Sequence, residues 1–201
     1  MINDFQSLTD AVADWLARSD LTASIPTLVQ LAEIRIFDDP TDPLRVRRMQ
    51  TMVTGTPVAG VIALPGDYLQ MQALSVDYGG AQKTLDPVPV EELATAATVP
   101  LGYAVVGNEI RIAGQAAGDY SLTYFARPPA LETAGTNWLI LKAPNVYLFA
   151  TLLEAAPYLK DQSGATVWAT EFQRALAGLR IADDRARFGP GFRQRPAGHT
   201  P

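Results

Sequence analysis

The sequence predicts an α+β fold: an antiparallel helical bundle formed by N- and C-terminal helix pairs, with a small antiparallel β module inserted between them and an extended C-terminal tail. Three observations lead to this prediction. Apolar residues recur at helical spacing near both ends of the chain. Between Arg45 and Arg127, alternating or β-branched runs are separated by turn residues. After Phe188 the chain is rich in glycine and proline.

The first helix pair is predicted within residues 1–43. The first helix carries an apolar stripe of Phe5, Leu8, Val12, Trp15 and Leu16. Asn3 and Gln6 are expected to cap its first turn. Pro26 suits the start of a second helix, and the short connection makes the two helices antiparallel neighbours. Two prolines and three carboxylates within residues 38–43 end that helix.

The β module is predicted within residues 44–128. Strands are expected near 46–53, at 71–78 and at 120–125, with a tight turn at Pro65-Gly66. Residues 103–106 and 109–112 form a predicted hairpin around Gly107-Asn108. A short helix is expected at 90–97, because Glu91 and Glu92 favour a helix N-terminus.

The second helix pair is predicted within residues 129–187, and the tail within 188–201. Pro144 occupies a favoured first-turn position, while Pro157 is expected to end or kink that helix. The last helix is predicted from about residue 165 to 187. The tail contains too much glycine and proline and too little apolar mass to fold alone.

Composition limits the class of protein. With 201 residues, 48% of them hydrophobic and 18% charged, the chain can form one or two domains with a core. No run approaches the roughly 20 apolar residues of a membrane span, and Asp4 stands where a secretory signal would carry a cation. We therefore expect a cytoplasmic protein without membrane contact. The absence of cysteine excludes disulfides and thiolate metal sites.

Charge is distributed unevenly along the chain. Arg185, Arg187, Arg193 and Arg195 lie within residues 185–201, and no acidic residue follows Asp184. Removing these four cations from the net charge of -5 leaves -9 on the rest of the chain. Such an acidic body repels nucleic acid, whereas the basic tail can reach an acidic partner or a phosphate. A solvated, disordered tail is the alternative.

No catalytic set can be assembled from recognised motifs. The single histidine, His199, is three residues from the end, where a preorganised site is difficult to hold. No Walker loop, Rossmann glycine fingerprint or paired-cysteine motif is present. We therefore predict no enzyme activity, no cofactor and no metal.

Two groups of carboxylates are candidate sites. Asp38, Asp39 and Asp42 could bind a hard cation, but they lack the EF-hand spacing, so a solvated helix-ending loop is favoured. Glu154 lies in the apolar run LLEAAPYL and could be a general acid with a raised pKa. Pairing with an arginine across a bundle or subunit interface is favoured, which makes Glu154 a candidate subunit-interface residue.

The three tryptophans are expected to differ in role. Trp15 and Trp168 follow helical stripes and are predicted to be core residues. Trp138 lies in a loop-like segment before a helix and is the second candidate subunit-interface residue. The tyrosines of the β module could stack on bases, but the module lacks the basic groove of a single-strand-binding protein.

The order of several segments resembles the head-to-tail adaptor proteins of tailed phages, also called connector or head-completion proteins. The N-terminal segments are DFQSLTDAVADWLARSDL at residues 4–21 and IPTLVQLAEIRI at 25–36. The central ones are ALPGDYL at 63–69 and YFARPPAL at 124–131. NWL at 137–139 precedes PNVYLFATLLEAAPYLKD at 144–161, which is similar to the third-helix region of that family.

The resemblance implies a non-enzymatic assembly protein. Such a protein joins the dodecameric portal ring at the capsid vertex as a homo-oligomeric ring, extends the DNA channel and presents a surface to the tail or nozzle protein. It implies a place in the virion neck, with assembly in the bacterial cytoplasm, and DNA passage without sequence-specific binding. Phe188, Phe192, Arg193 and Arg195 are the candidate portal- or partner-docking residues. An acidic channel wall would avoid trapping DNA.

The residues also allow two other functions. One is a carboxylate-dependent hydrolase of glycans or phosphates that uses Glu154 or the Asp38 loop. Substitution of Glu154 by Gln would abolish turnover in such an enzyme, but would chiefly perturb assembly in an adaptor. The other is a monomeric cellular protein-binding module, which would show no affinity for a portal ring.

Overall fold

A computed structural model describes residues 1–17, 20–94, 97–115, 118–160 and 162–188, with the backbone alone for Gln162, Arg187 and Phe188. The chain forms two compact units. The first combines Met1–Arg47 with the chain from Pro128 onward, and the second is Arg48–Arg127.

The first unit is helical. Its helices are α1 (Phe5–Leu16), α2 (Ile25–Asp38), α3 (Leu131–Ala134), α4 (Trp138–Lys142), α5 (Pro144–Leu159) and α6 (Gln162–Phe188), with a 3-10 turn at Thr22–Ser24. Asp4 caps α1 by accepting a hydrogen bond from the Ser7 amide at 2.7 Å, and the Ser7 hydroxyl accepts one from the Asp4 amide at 3.1 Å. The predicted capping pair of Asn3 and Gln6 is therefore wrong, because a capping box one residue later satisfies these amides.

Helix α5 is the centre of the first unit. It packs against α1, α2, α4 and α6, and half of its 16 residues are buried. This burial explains its composition, since a helix surrounded by other helices has little need of a polar face. Pro157 lies inside α5, which continues to Leu159 and ends where Lys160 adopts a left-handed conformation with φ of 53°.

The second unit is a single seven-stranded sheet. Its strands are β1 (Gln50–Gly55), β2 (Val61–Ala63), β3 (Tyr68–Tyr78), β4 (Ala81–Pro87), β5 (Gly102–Val106), β6 (Glu109–Ala113) and β7 (Tyr120–Ala126). They follow the order β1-β7-β3-β4-β5-β6-β2, and the sheet curls into a half-barrel. Neighbours are antiparallel except β4 and β5, which are parallel. Leu74, Val76, Ile110 and Leu122 form the centre of its core.

The predicted fold class is wrong. In the part of the chain that is described, the protein is α+β with six α-helices and a seven-stranded curled half-barrel sheet, not a helical bundle with a small β module. The sheet was underestimated because β2 has three residues and β4 exposes all of its side chains except Leu85. Neither strand shows the alternation that identifies a strand in sequence.

Smaller elements also differ from expectation. The helix predicted at 90–97 is a 3-10 turn at Val90–Ala94, and another 3-10 turn at Arg47–Met49 precedes β1. The predicted hairpin is present as β5 and β6, joined at Gly107 with φ of 60°. The predicted tail at 188–201 lies outside the described residues, except for the backbone of Phe188 at the end of α6.

Candidate partner-binding surfaces

A buried polar network holds several helices of the first unit together. The Asn137 side chain caps α4 by accepting hydrogen bonds from the amides of Leu139 and Ile140, at 3.1 and 3.2 Å. Its amide group donates to the Pro129 carbonyl at 3.1 Å and to the Tyr147 hydroxyl at 2.8 Å. All four hydrogen-bonding positions of this amide are therefore used.

The network continues from α5 to α2. The Tyr147 hydroxyl donates to Glu33 at 3.2 Å, and the same Glu33 oxygen accepts from the Leu131 amide at 2.8 Å. Tyr147 is fully buried. Nothing local in the sequence links the members of this network, although Asn before a short apolar run is a recognisable N-cap signal for α4.

The two candidate subunit-interface residues lie in different places. Trp138 is the first residue of α4, and its side chain is half-buried. Glu154 on α5 accepts a hydrogen bond from the Arg35 guanidinium on α2, and its side chain is 16% exposed. The ion pair joins two helices of one chain. A contact of Trp138 or Glu154 with another subunit stays a prediction.

The Asp38–Asp42 loop is held by its own hydrogen bonds. The carboxylate of Asp39 accepts from the Thr41 hydroxyl at 2.5 Å and from the amides of Thr41 and Asp42, at 2.8 and 2.9 Å. These bonds, led by that from the hydroxyl, lower the pKa of Asp39 to about 2. Asp42 accepts from Arg180 on α6 at 2.7 Å. The loop therefore closes α2 and ties it to α6.

The other expected residues divide between described and undescribed parts of the chain. Trp15 is 55% exposed and meets Phe149 edge-on, with ring centroids 5.8 Å apart, so its predicted core position is wrong. Phe188 ends α6, but its side chain is not described. Phe192, Arg193, Arg195 and His199 lie outside the described residues.

A groove runs along α6 beside the corner between α4 and α5. It encloses about 430 Å³, and we call it the α6 groove. Its lining includes Lys142, Glu171, Arg174, Ala175, Gly178 and Ala182. Arg174 is 80% exposed and has Glu171 at 3.7 Å. The groove therefore combines small side chains with a positively charged end.

Helix α2 presents a ridge of exposed side chains. We call Leu31, Ile34 and Asp38 the α2 ridge, because residues at i, i+3 and i+7 share one helix face. Leu31 is 40% and Ile34 is 53% exposed. A cleft of about 280 Å³ beside the ridge is also lined by Arg35, Asp39 and Glu154. The ridge is thus apolar with an acidic end.

Metal-binding clusters and membrane-spanning helices are absent from the described ranges. Among those residues, no group of three or more His, Cys, Asp or Glu side chains is placed to hold a metal ion. No helix in the described part of the chain is long and apolar enough to cross a membrane.

Comparison with known proteins places the chain in a family. A family model described as SU10 adaptor protein matches residues 3–195, which is nearly the whole sequence. No curated protein matches the chain. Members of this family are structural adaptor proteins of phages and are components of the virion. This chain belongs to the SU10 adaptor protein family.

Proposed function

We propose that this protein binds the portal ring at the capsid vertex of a tailed phage, extends the DNA channel, and connects the head to the tail or nozzle protein. The observation that carries the proposal is the family match across residues 3–195, which includes both compact units. The protein acts as a homo-oligomeric ring, dodecameric on the portal, in the virion neck after assembly in the host cytoplasm. It has no catalytic turnover in this role.

Exposed apolar side chains on three helices are candidate contact positions in the ring. Trp15 on α1, Leu141 on α4, and Val167 and Ile181 on α6 are each more than half exposed. Large apolar side chains in water are characteristic of surfaces that become buried against other proteins when they are contiguous. We assign ring contacts to Trp138 and Glu154, which are partly accessible on α4 and α5.

Portal docking is assigned to the tail. Phe188 and Phe192 supply aromatic anchors, and Arg193 and Arg195 supply cations in a segment without an acidic residue. Aromatic and arginine side chains are enriched among residues that dominate binding energy. Ordering of such a segment on the portal would make binding depend on the assembled portal surface.

The charge of the body fits passage of DNA. With the four C-terminal arginines set aside, the chain carries a net charge of -9. An acidic channel wall would not attract the phosphates of a DNA duplex electrostatically, so DNA would pass without sequence-specific binding. A strongly positive lumen in the assembled ring would contradict this part of the proposal.

The experiment is co-sedimentation with the portal ring of the same phage on a density gradient. Full-length protein, a truncation after Arg187, and the double variant Arg193→Ala with Arg195→Ala are compared. Arg185→Ala is the matched control, because Arg185 is an exposed arginine within α6 rather than in the tail. We expect stoichiometric binding of the full-length and Arg185→Ala proteins, with weaker binding of the other two.

The outcomes separate the two parts of the proposal. No binding by full-length protein, in salt that preserves the portal ring, contradicts the adaptor function. Equal binding by the truncated and full-length proteins retains the adaptor function and removes docking from the tail.

A further inference from the structure

Gly178 is an unusual residue for its position in the helix. It lies in the interior of α6, a helix of 27 residues, where glycine is the least favourable residue after proline. If a Cβ atom is added to Gly178, no atom of the described residues lies within 4 Å of it, apart from the neighbouring backbone of the helix itself. Packing within the chain therefore does not require glycine here. Close approach by another helix would require it.

The α6 groove has the shape to receive a helix. Ala175, Gly178 and Ala182 line it at i, i+3 and i+7, which extends about 10 Å along the helix axis. The α2 ridge has the same spacing and length, but its apolar side chains are large. Helices pack when the ridge of one enters the groove of the other, and small residues allow the two axes to come close.

The charged residues at the ends of the α2 ridge and the α6 groove indicate how the two helices would be oriented. Asp38 lies at the C-terminal end of the α2 ridge, and Asp39 follows it. Arg174 lies at the N-terminal end of the α6 groove, which Lys142 and Glu171 also line. Glu171 has Arg174 at 3.7 Å, so these three side chains leave one net positive charge there. Opposite charges therefore meet when the two helices run antiparallel. The negative C-terminal end of the α2 dipole then also approaches these cations.

The ridge and the groove cannot meet within one chain as the helices are arranged. Helix α5 contacts both α2 and α6, whereas α2 and α6 have few or no direct contacts. A ridge on one helix and a groove on another are two different patches of the same chain. Pairing of different patches between copies is heterologous, and such contacts close into rings when the rotation allows.

We propose that the α2 ridge of one copy packs antiparallel into the α6 groove of a second copy of this chain, with Asp38 near Arg174 and Leu31 near Ala182. This inference rests on the proposed ring, and it identifies the faces through which neighbours meet. Burial of Leu31 and Ile34 in the groove removes apolar surface from water. The second copy also supplies the close approach that explains Gly178.

Cysteine cross-linking tests the pairing, because the natural chain has no cysteine. Leu31→Cys and Ala182→Cys proteins are prepared separately and as a double variant. They are treated with a short bis-maleimide, both at high protein concentration alone and on portal rings. We expect cross-linked dimers from the mixture of single variants, a ladder of higher oligomers from the double variant, and monomers from each single variant alone.

A register control uses Leu31→Cys with Val167→Cys. Val167 is exposed on α6 but lies about 22 Å along the helix from residue 182, beyond the reach of the short reagent. Any of three results would overturn the pairing. They are dimers from a single variant alone, absence of the ladder both in the concentrated protein and on portal rings, and cross-linking through Val167 equal to that through residue 182. Portal binding without a ladder overturns only this inference. A ladder without portal binding overturns only the proposed function.

Groove filling is the second test. In the cross-linking double variant, Gly178→Leu places a large side chain in the groove, starting from a Cβ position that has no described atom within 4 Å outside the local helix backbone. Gly178→Ala adds only the Cβ methyl group at that position. Both changes favour the helix, so both proteins should melt no lower than the parent. We expect the leucine change to reduce the ladder by about tenfold or more relative to alanine, because overfilling a close contact is destabilising. Equal ladders would refute the groove contact.

Discussion

Substitution of Tyr147 by Phe tests the buried network of the first unit. The change removes one oxygen atom from a fully buried side chain and leaves its ring in place. That oxygen accepts from the Asn137 amide at 2.8 Å and donates to Glu33 at 3.2 Å. After substitution, one buried N–H of Asn137 loses its acceptor. Glu33 keeps its bond from the Leu131 amide at 2.8 Å.

The magnitude follows from the unpaired group. A buried donor without an acceptor costs about 1–3 kcal/mol. For a chain of this size, each kcal/mol shifts the melting temperature by roughly 2–4 °C. We therefore expect Tyr147→Phe to lower the melting temperature of the first unit by roughly 2–12 °C.

The assay can follow the first unit by itself. All three tryptophans, at positions 15, 138 and 168, belong to that unit, so their fluorescence during thermal or urea unfolding reports on it. Tyr158→Phe is the matched control. Tyr158 lies on the same helix and is 56% exposed, so loss of its hydroxyl should change stability by less than about 0.5 kcal/mol.

Equal stability of the two variants would contradict this prediction. If Tyr147→Phe unfolds at the same urea concentration and temperature as Tyr158→Phe, the network adds nothing to the stability of the first unit. The helices would then be held together by apolar packing and by the other polar contacts, such as the Arg35–Glu154 ion pair.

Three further predictions concern single residues. Gly118→Ala should destabilise the sheet by more than about 1 kcal/mol, because the φ of Gly118 is +109° and the new Cβ would lie 2.7 Å from the Asp77 carbonyl oxygen. Urea unfolding followed by far-ultraviolet circular dichroism measures this loss, and an unchanged unfolding midpoint would contradict it. The pKa of Asp39 is about 2 in the folded chain and about 3.8 in the unfolded one, so its contribution is present above pH 4 and is lost as the pH falls toward 2. Asp39→Asn should lack that part of the acid dependence of the melting temperature, and identical acid profiles would count against it. Burial and the bond to Asp67 raise the pKa of Tyr124 to about 12. Subtracting the absorbance titration of Tyr124→Phe should therefore reveal a phenol that ionises near that pH, and ionisation near 10 would contradict both causes of the raised pKa.

The long helices could be predicted because each has an apolar face that periodicity reveals. Helices α1, α2, α5 and α6 were all expected near their observed positions. Helices α3 and α4 were missed because they have four and five residues, too few for a period to show. Periodicity also does not indicate how deeply a side chain is buried. Trp15 lies on the apolar stripe of α1, yet it is 55% exposed.

The sheet was harder to predict because its pairing is not local. β1 pairs with β7, the last strand, and β4 pairs in parallel with β5. No turn signal in the sequence indicates either partner. The strands that were predicted, including the hairpin of β5 and β6, have alternating burial or a tight turn that can be recognised locally.

Only some residues of the candidate surfaces could be predicted from the sequence. Glu154 was expected to pair with an arginine across helices, and it pairs with Arg35, 119 positions away in the chain. The partner itself could not be named because no local pattern links the two positions. Gly178 was overlooked, although an isolated glycine inside a helical pattern is a signal of close packing.

The central claim, that this chain is the adaptor on the portal, is tested most directly by electron cryomicroscopy of the portal ring mixed with full-length protein. We predict a second ring of this chain, coaxial with the portal and extending its channel, into which both the helical unit and the half-barrel sheet can be placed. Portal particles without added density, under conditions that keep both proteins folded, would contradict the account.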